Sequence, residues 1–203
     1  MYTNSLVALC LLCHHASVVF CDNVSQAPES IQYPRFQVVE TNDDFELRAY
    51  DATRWALTNT NPSMDPDAIT NGFMILARYT RGFNNKGMIF EMAAPWTEFI
   101  PLNSDSPINA SVAFFLPPEL DIPEPTDPNI FFLTFPETKL YVKTFRTIDG
   151  WVKKGDFSER AKSLYETLLA QEKTFDASFF TCNTYDSLSK VVDRYFEVYY
   201  VAI

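Results

Sequence analysis

Residues 117–128, Pro-Pro-Glu-Leu-Asp-Ile-Pro-Glu-Pro-Thr-Asp-Pro, constrain this chain more than any other stretch. Each proline fixes its φ angle and lacks a backbone donor. Five of them, Pro117, Pro118, Pro123, Pro125 and Pro128, keep the segment out of helix interiors and central strands. Strong strand signals flank it, so it reads as an extended linker between two halves.

The first half carries short alternating runs. Phe36–Glu40 and Phe45–Tyr50 are expected strands, joined through the turn residues Asn42-Asp43-Asp44, and Arg54–Thr60 is a third. A helix follows. Asp65 can accept hydrogen bonds from first-turn amides, and Pro66 suits the first helical position. Ile69, Phe73, Leu76 and Thr80 share one face, and the helix should end near Gly82. Strands are expected again at Met88–Met92, Thr97–Leu102 and Ser111–Leu116.

The second half repeats this order. Ile130–Phe135 and Lys139–Phe145 read as strands. Asp156 is the expected cap of a second helix, with Glu159 completing a capping box. Phe157, Ala161, Leu164, Tyr165, Leu168 and Glu172 mark that helix's faces, and Ser178–Thr181 and Phe196–Ala202 close the chain as strands. Both halves thus read strand, strand, helix, strand, strand. The class is α+β, with the sheet curled into a barrel-like shape.

At 203 residues the chain fits one domain with a single sizeable core. Its net charge is −10, and it has no cluster of Lys and Arg, which argues against nucleic-acid binding and against docking on an anionic membrane. The 18 Phe, 10 Tyr and 3 Trp suit strands, and also a cavity for a flat ligand.

The N-terminus reads as a secretory signal over residues 1–21. Leu6–Leu12 is apolar, and the apolar character resumes at Ala16–Phe20 after His14 and His15. Val19 and Cys21 suit cleavage after Cys21; cleavage after Ala16 or Ser17 competes. No stretch approaches membrane-spanning length. Residues 22–34 are a polar leader and 35–203 the folded domain. If Cys21 leaves with the signal, Cys182 is alone; if not, the two could pair. The sequons Asn23-Val24-Ser25 and Asn109-Ala110-Ser111 suit export.

Catalytic chemistry finds little support. His14 and His15 are the only histidines, so the mature chain lacks a Ser-His or Cys-His pair and the usual imidazole metal clusters. The expected mature chain has no Cys-x-x-Cys, since Cys10 and Cys13 lie within the signal, and no glycine-rich phosphate loop. Glu91 and Glu197, on expected strands, remain as acid or base candidates if they point inward.

Several segments resemble the SOUL haem-binding family in the right order. They are Phe45-Glu-Leu-Arg-Ala-Tyr50 with Arg54-Trp55, Arg78–Gly87, Met92-Ala-Ala-Pro95, Phe114–Pro118, Leu140–Phe145 and Glu197-Val198-Tyr199. The resemblance runs from about residue 33 to the C-terminus. It implies a distorted eight-stranded antiparallel β-barrel flanked by two helices. It also implies non-covalent binding of haem, or of a metal-free porphyrin, in an apolar cleft. The positions it assigns to the ligand are Phe73, Leu76, Ala77 and Arg78 on the first helix and Lys190 near the last strand, with the two cations facing propionates. One branch of the family has a histidine as iron ligand where this sequence has Ala49. No imidazole ligand is then expected. Cys182 and Tyr50 are the substitutes, each of which could equally be a core residue. The reading is a secreted, monomeric carrier or scavenger of a tetrapyrrole. The alternatives are a GyrI-like hydrolase working through Glu91 or Glu197, and a secreted interaction protein that has lost its ligand.

Overall fold

A computed structural model of the chain describes residues 32–61, 65–149, 155–186, 190 and 192–203. The expected signal and most of the leader, including Cys21 and the Asn23 sequon, lie outside these residues.

Strands β1 (Phe36–Thr41), β2 (Glu46–Tyr50) and β3 (Thr53–Asn59) open the fold. The turn between β1 and β2 is held by Asn42, whose Oδ1 accepts from the amides of Asp44 and Phe45 at 2.9 and 3.0 Å. Helix α1 (Pro66–Thr80) begins as the sequence indicates: Asp65 Oδ1 accepts from the Ala68 amide at 2.9 Å, and Pro66 takes the first turn. Strands β4 (Trp96–Pro101) and β5 (Ser111–Leu116) complete the first half. The second half comprises β6 (Ile130–Phe135), β7 (Thr138–Asp149), α2 (Asp156–Ala170), β8 (Phe179–Thr184) and β9 (Val192–Val201).

All nine strands form one antiparallel sheet in the order β1-β2-β7-β9-β8-β4-β5-β3-β6. The two halves meet at β4 and β8 and exchange their first strands. β2 leaves its own half to pair with β7, and β6 pairs with β3. Within each half the remaining pairings correspond: β3 with β5 and β7 with β9, then β4 with β5 and β8 with β9. The exchange interlocks the halves, since each edge of the sheet contains a strand of the other half.

The sheet departs from the expected eight-stranded barrel. It has nine strands, and its terminal strands β1 and β6 are not paired with each other. The expected strand Met88–Met92 does not form; only an isolated bridge, Arg81 with Ile89, is present. The reason is local competition for its backbone groups. The Asn84 side chain accepts from the Met88 amide at 3.0 Å and donates to the Met88 carbonyl at 2.7 Å, and the Phe90 amide turns to the Thr80 carbonyl. The second helix also starts differently. Gly155, at φ 107°, is its N-cap and contributes no side-chain bond, so Asp156 is the first helical residue rather than the cap. The left-handed glycine turns the chain sharply into the helix, and its carbonyl accepts from the Glu159 amide at 2.8 Å.

Period-two alternation sorts the side chains onto two faces. The helices cover the outer one. Leu76 and Tyr79 of α1 pack with Ala56, Val112 and Phe114 of the sheet; Leu164 and Leu168 of α2 pack with Phe145, Phe180 and Val198. Helix α1 approaches closely at Gly72, where an added Cβ would lie 3.1 Å from Val112 Cγ2. The inner face of the curl carries a second apolar group around Trp55, Phe99, Phe115 and Phe179, and a smaller one around Tyr50, Val142 and Tyr199.

Candidate functional site

An apolar groove runs along the inner face. Its lining comes from seven strands, from β2 near one edge of the sheet to β6 at the other, which is possible only because the sheet curls. Trp55, Phe99, Phe135 and Phe179 form one wall. Tyr50, Leu140, Tyr199 and Val201 form the opposite wall, and Pro34, Pro95 and Pro136 edge it. Phe99 and Phe135 stack with centroids 5.7 Å apart. The Trp55 indole N–H is taken by Thr53 Oγ1 at 2.9 Å, so this wall offers a ligand surface rather than donors. The cavity volume is about 90 Å³.

Between the walls runs a polar strip set by strand register. Glu197, Asn183 and Thr97 lie side by side on β9, β8 and β4; Tyr199, Thr181 and Phe99 form the next row. Thr97 donates to Asn183 Oδ1 at 2.7 Å, and Asn183 Nδ2 donates to Thr181 Oγ1 at 3.1 Å.

At the Tyr199 end the strip joins a buried charge cluster. Arg48 Nη1 donates to Glu197 Oε1 at 2.8 Å, and the two side chains are only 4% and 0% exposed. Arg48 Nε donates to Glu46 at 2.7 Å. Tyr185 and Tyr195 donate to Glu197 at 2.5 Å each, and Tyr199 donates to it as well. Tyr50 receives from Arg48 at 3.3 Å and donates to Tyr199. Burial works against the Arg48 charge, but Glu197 and the neighbouring tyrosines outweigh it and hold the guanidinium protonated. Burial, then Glu197, pushes the Tyr50 hydroxyl up to about 12 and those of Tyr185 and Tyr199 well above their ordinary value. These tyrosines are donors, not phenolates.

The residues assigned to the ligand from sequence do not gather at this groove. Leu76 and Ala77 are buried residues of α1, Leu76 packing in the cluster on the outer face, and Phe73 packs edge-on against Trp96 and Phe114. Arg78 is exposed and stands over the Phe83 ring at 4.5 Å. Lys190 pairs with Asp186 at 2.8 Å. Of the two acid candidates, Glu91 is exposed, and Glu197 is inward but saturated with donors. Cys182 is buried among the residues beneath α2, across the sheet from the groove; burial, then Glu98, pushes its thiol well up. Of the named candidates only Tyr50 lines the groove. Sequence reasoning missed Arg48, although its signal was present: period two puts Glu46, Arg48 and Tyr50 on one face of a strand.

The SOUL heme-binding protein family matches residues 31–201. The chain belongs to this family. It is 30% identical to heme-binding protein 2 of Homo sapiens over 162 residues, 77% of each chain. It is 28% identical to heme-binding protein 2 of Mus musculus over 183 residues, 85% of this chain and 87% of that one. Among solved structures, a hydrolase encoded by lin2189 from Listeria innocua superposes with a TM-score of 0.47 at 8% identity, covering 89% of this chain and 96% of that one. The EcmrR C-terminal domain gives 0.48 at 9% identity, covering 83% of this chain and 98% of that one.

Haem fits this SOUL-family groove only in part. The aromatic walls suit the apolar face of a flat ring. Among the described residues no Lys, Arg, His, Cys or Met lines the groove, so these supply neither an iron ligand of those types nor a propionate partner. A volume of about 90 Å³ is also below the roughly 150 Å³ that encloses benzene, so a macrocycle cannot be swallowed whole.

Proposed function

We propose that this SOUL-family chain is an exported carrier of haem or a metal-free tetrapyrrole, held non-covalently and without imidazole ligation. One observation carries the reading: the inner face presents an aromatic groove whose lining, among the described residues, holds no iron ligand of the His, Cys or Met type. Trp55, Phe99, Phe135 and Phe179 would hold an apolar edge of the ring, and the charged propionates would be left to solvent. The relatives named for haem binding make the tetrapyrrole the first ligand to test. A binding role is supported by the state of Glu197, which already accepts from an arginine and three tyrosines.

A propionate role for Arg78 or Lys190 belongs to an alternative placement of the ring near α1. Helix packing disfavours it: Leu76 and Ala77 would have to leave the core, and Lys190 would have to leave Asp186. Absorption titrations with haemin and with metal-free protoporphyrin distinguish the two. Both ligands should bind within about tenfold of each other, since about 1.4 kcal/mol is all a missing weak axial ligand need cost. Phe135→Ala should weaken both and Arg78→Ala neither. The opposite ranking of the two variants would move the ring to α1. A porphyrin affinity over a hundredfold below that of haemin would mean that the iron has a protein ligand.

Export is read from the apolar run Leu6–Leu12 and the cleavage-compatible Val19-x-Cys21. Asn109, exposed just before β5, is an accessible glycan acceptor on that route. N-terminal sequencing of protein from culture medium should give a start near residue 22; an intact Met1 in the cytosolic fraction would remove the proposal.

A further inference from the structure

We infer that the floor of the inner groove is a subsite for the edge of an uncharged flat ring system bearing a hydrogen-bond acceptor, and that it rejects carboxylates. The inference rests on the reading that the groove is the ligand site, and adds the chemical class its floor selects.

Three observations lead to it. The first is an unspent donor. Thr181 Oγ1 accepts from Asn183 Nδ2, but among the described residues nothing accepts the Thr181 hydroxyl proton. Thr181 is 7% exposed and lines the groove, so its hydroxyl can donate to a carbonyl or ether oxygen lying against the floor. Its neighbours are spoken for, because Thr97 donates to Asn183 and the Trp55 N–H to Thr53. The Thr181 hydroxyl is thus a floor donor open to an acceptor on the ligand.

The second is the charge around the groove. Among the described residues its lining has no cation, and its one carboxyl group is that of Asp51 at the exposed rim. Arg48, the cation nearest in register to Tyr50, is committed to Glu197 and Glu46. With one guanidinium between two carboxylates, the cluster beyond Tyr199 has no positive charge left for an anion. A carboxylate on the floor would lose its water and gain only a neutral hydroxyl. The third is size. A cavity of about 90 Å³, below the roughly 150 Å³ that encloses benzene, takes only the edge of a small flat ring system, with the rest of the body left at the mouth.

The test uses coumarin, an uncharged two-ring lactone, and coumarin-3-carboxylate as its anionic counterpart. Both are titrated into the wild-type chain and followed by amide chemical shifts. Coumarin should shift the amides of Thr97, Thr181 and Asn183. Coumarin-3-carboxylate should bind at least tenfold more weakly. Thr181→Val keeps the shape and removes the donor, and should weaken coumarin about fivefold, the loss expected for one neutral hydrogen bond. Equal or tighter binding of the carboxylate overturns the inference. So does coumarin binding with no shift at Thr181. If coumarin does not bind while protoporphyrin still responds to Phe135→Ala, the inference falls and the groove reading stands. If neither ligand reports on the groove, both fall.

Discussion

Glu197 and Glu98 lie on opposite faces of one sheet with only β8 between their strands, and the fold treats them differently. Glu197, wholly buried on the inner face, pairs with Arg48 and accepts from Tyr185, Tyr195 and Tyr199. Glu98, 6% exposed on the outer face, sits opposite Cys182, and among the described residues no group donates to it. Burial alone pushes the Glu98 carboxyl up to about 7. The difference lies in the neighbours that register delivers. On the inner face β9 presents tyrosines at alternate positions and β2 presents Arg48. On the outer face the surroundings are the apolar undersides of two helices. A carboxylate keeps its charge inside a protein where donors surround it, and gives the charge up where they do not.

The largest test of this contrast is Glu197→Ala. It strands the Arg48 guanidinium inside the sheet and should cost about 3–5 kcal/mol, read as a lower urea midpoint at unchanged slope. A loss below about 1 kcal/mol would mean that the cluster is hydrated, and would break the comparison.

Glu98→Gln should act in the other direction and depend on pH. The folded carboxyl titrates near 7 and the unfolded one near 4.5, so between these values the unfolded chain holds fewer protons and wild-type stability falls as pH rises. The wild type therefore has its full stability below about pH 4.5 and loses up to about 3 kcal/mol by pH 8. The amide variant escapes this loss. It should be more stable than wild type at pH 8 and nearly equal to it at pH 4, as measured by urea unfolding at each pH. An equal difference at both pH values would show that Glu98 has a partner.

Tyr50→Phe removes one hydroxyl at the groove end of the cluster. About 1 kcal/mol should be lost, since Arg48 and Tyr199 keep their bonds to Glu197. Smallest is Cys182→Ser, which puts a hydroxyl donor across from Glu98. Its signature is a shift of the pH at which stability falls, from near 7 to a lower value, with little change at pH 4. No shift would mean that the two side chains do not meet.

Much of the fold was legible because its signals are local. Asp65 and Pro66 announce the start of α1 within one turn, and Asn42 builds its own turn. Phe45–Tyr50 alternates and becomes a strand. Local signals also misled. Met88–Met92 has strand composition, yet the side chain of Asn84, four residues before Met88, captures its backbone groups. Asp156 looks like a cap, but Gly155 before it adopts the left-handed turn and takes that place. The groove was harder to see. Trp55, Phe99, Phe135 and Phe179 stand on four strands and become one wall only through the pairing of β3 with β6 and of β4 with β8.

By itself the sequence determined the element order, the proline linker, the inward and outward alternation of each strand, and the lack of any histidine after residue 15. These follow from backbone propensity and side-chain period, which act over a few residues. The tertiary structure alone decided which strands are neighbours, and with that the site. β2 pairs with β7 from the other half, and so Arg48 reaches Glu197, 149 residues away. A strand's edge groups accept any partner of suitable length, so the choice falls to the packing of whole faces. That packing buried Leu76 and Ala77 of α1 and left the opposite face of the sheet to enclose the groove.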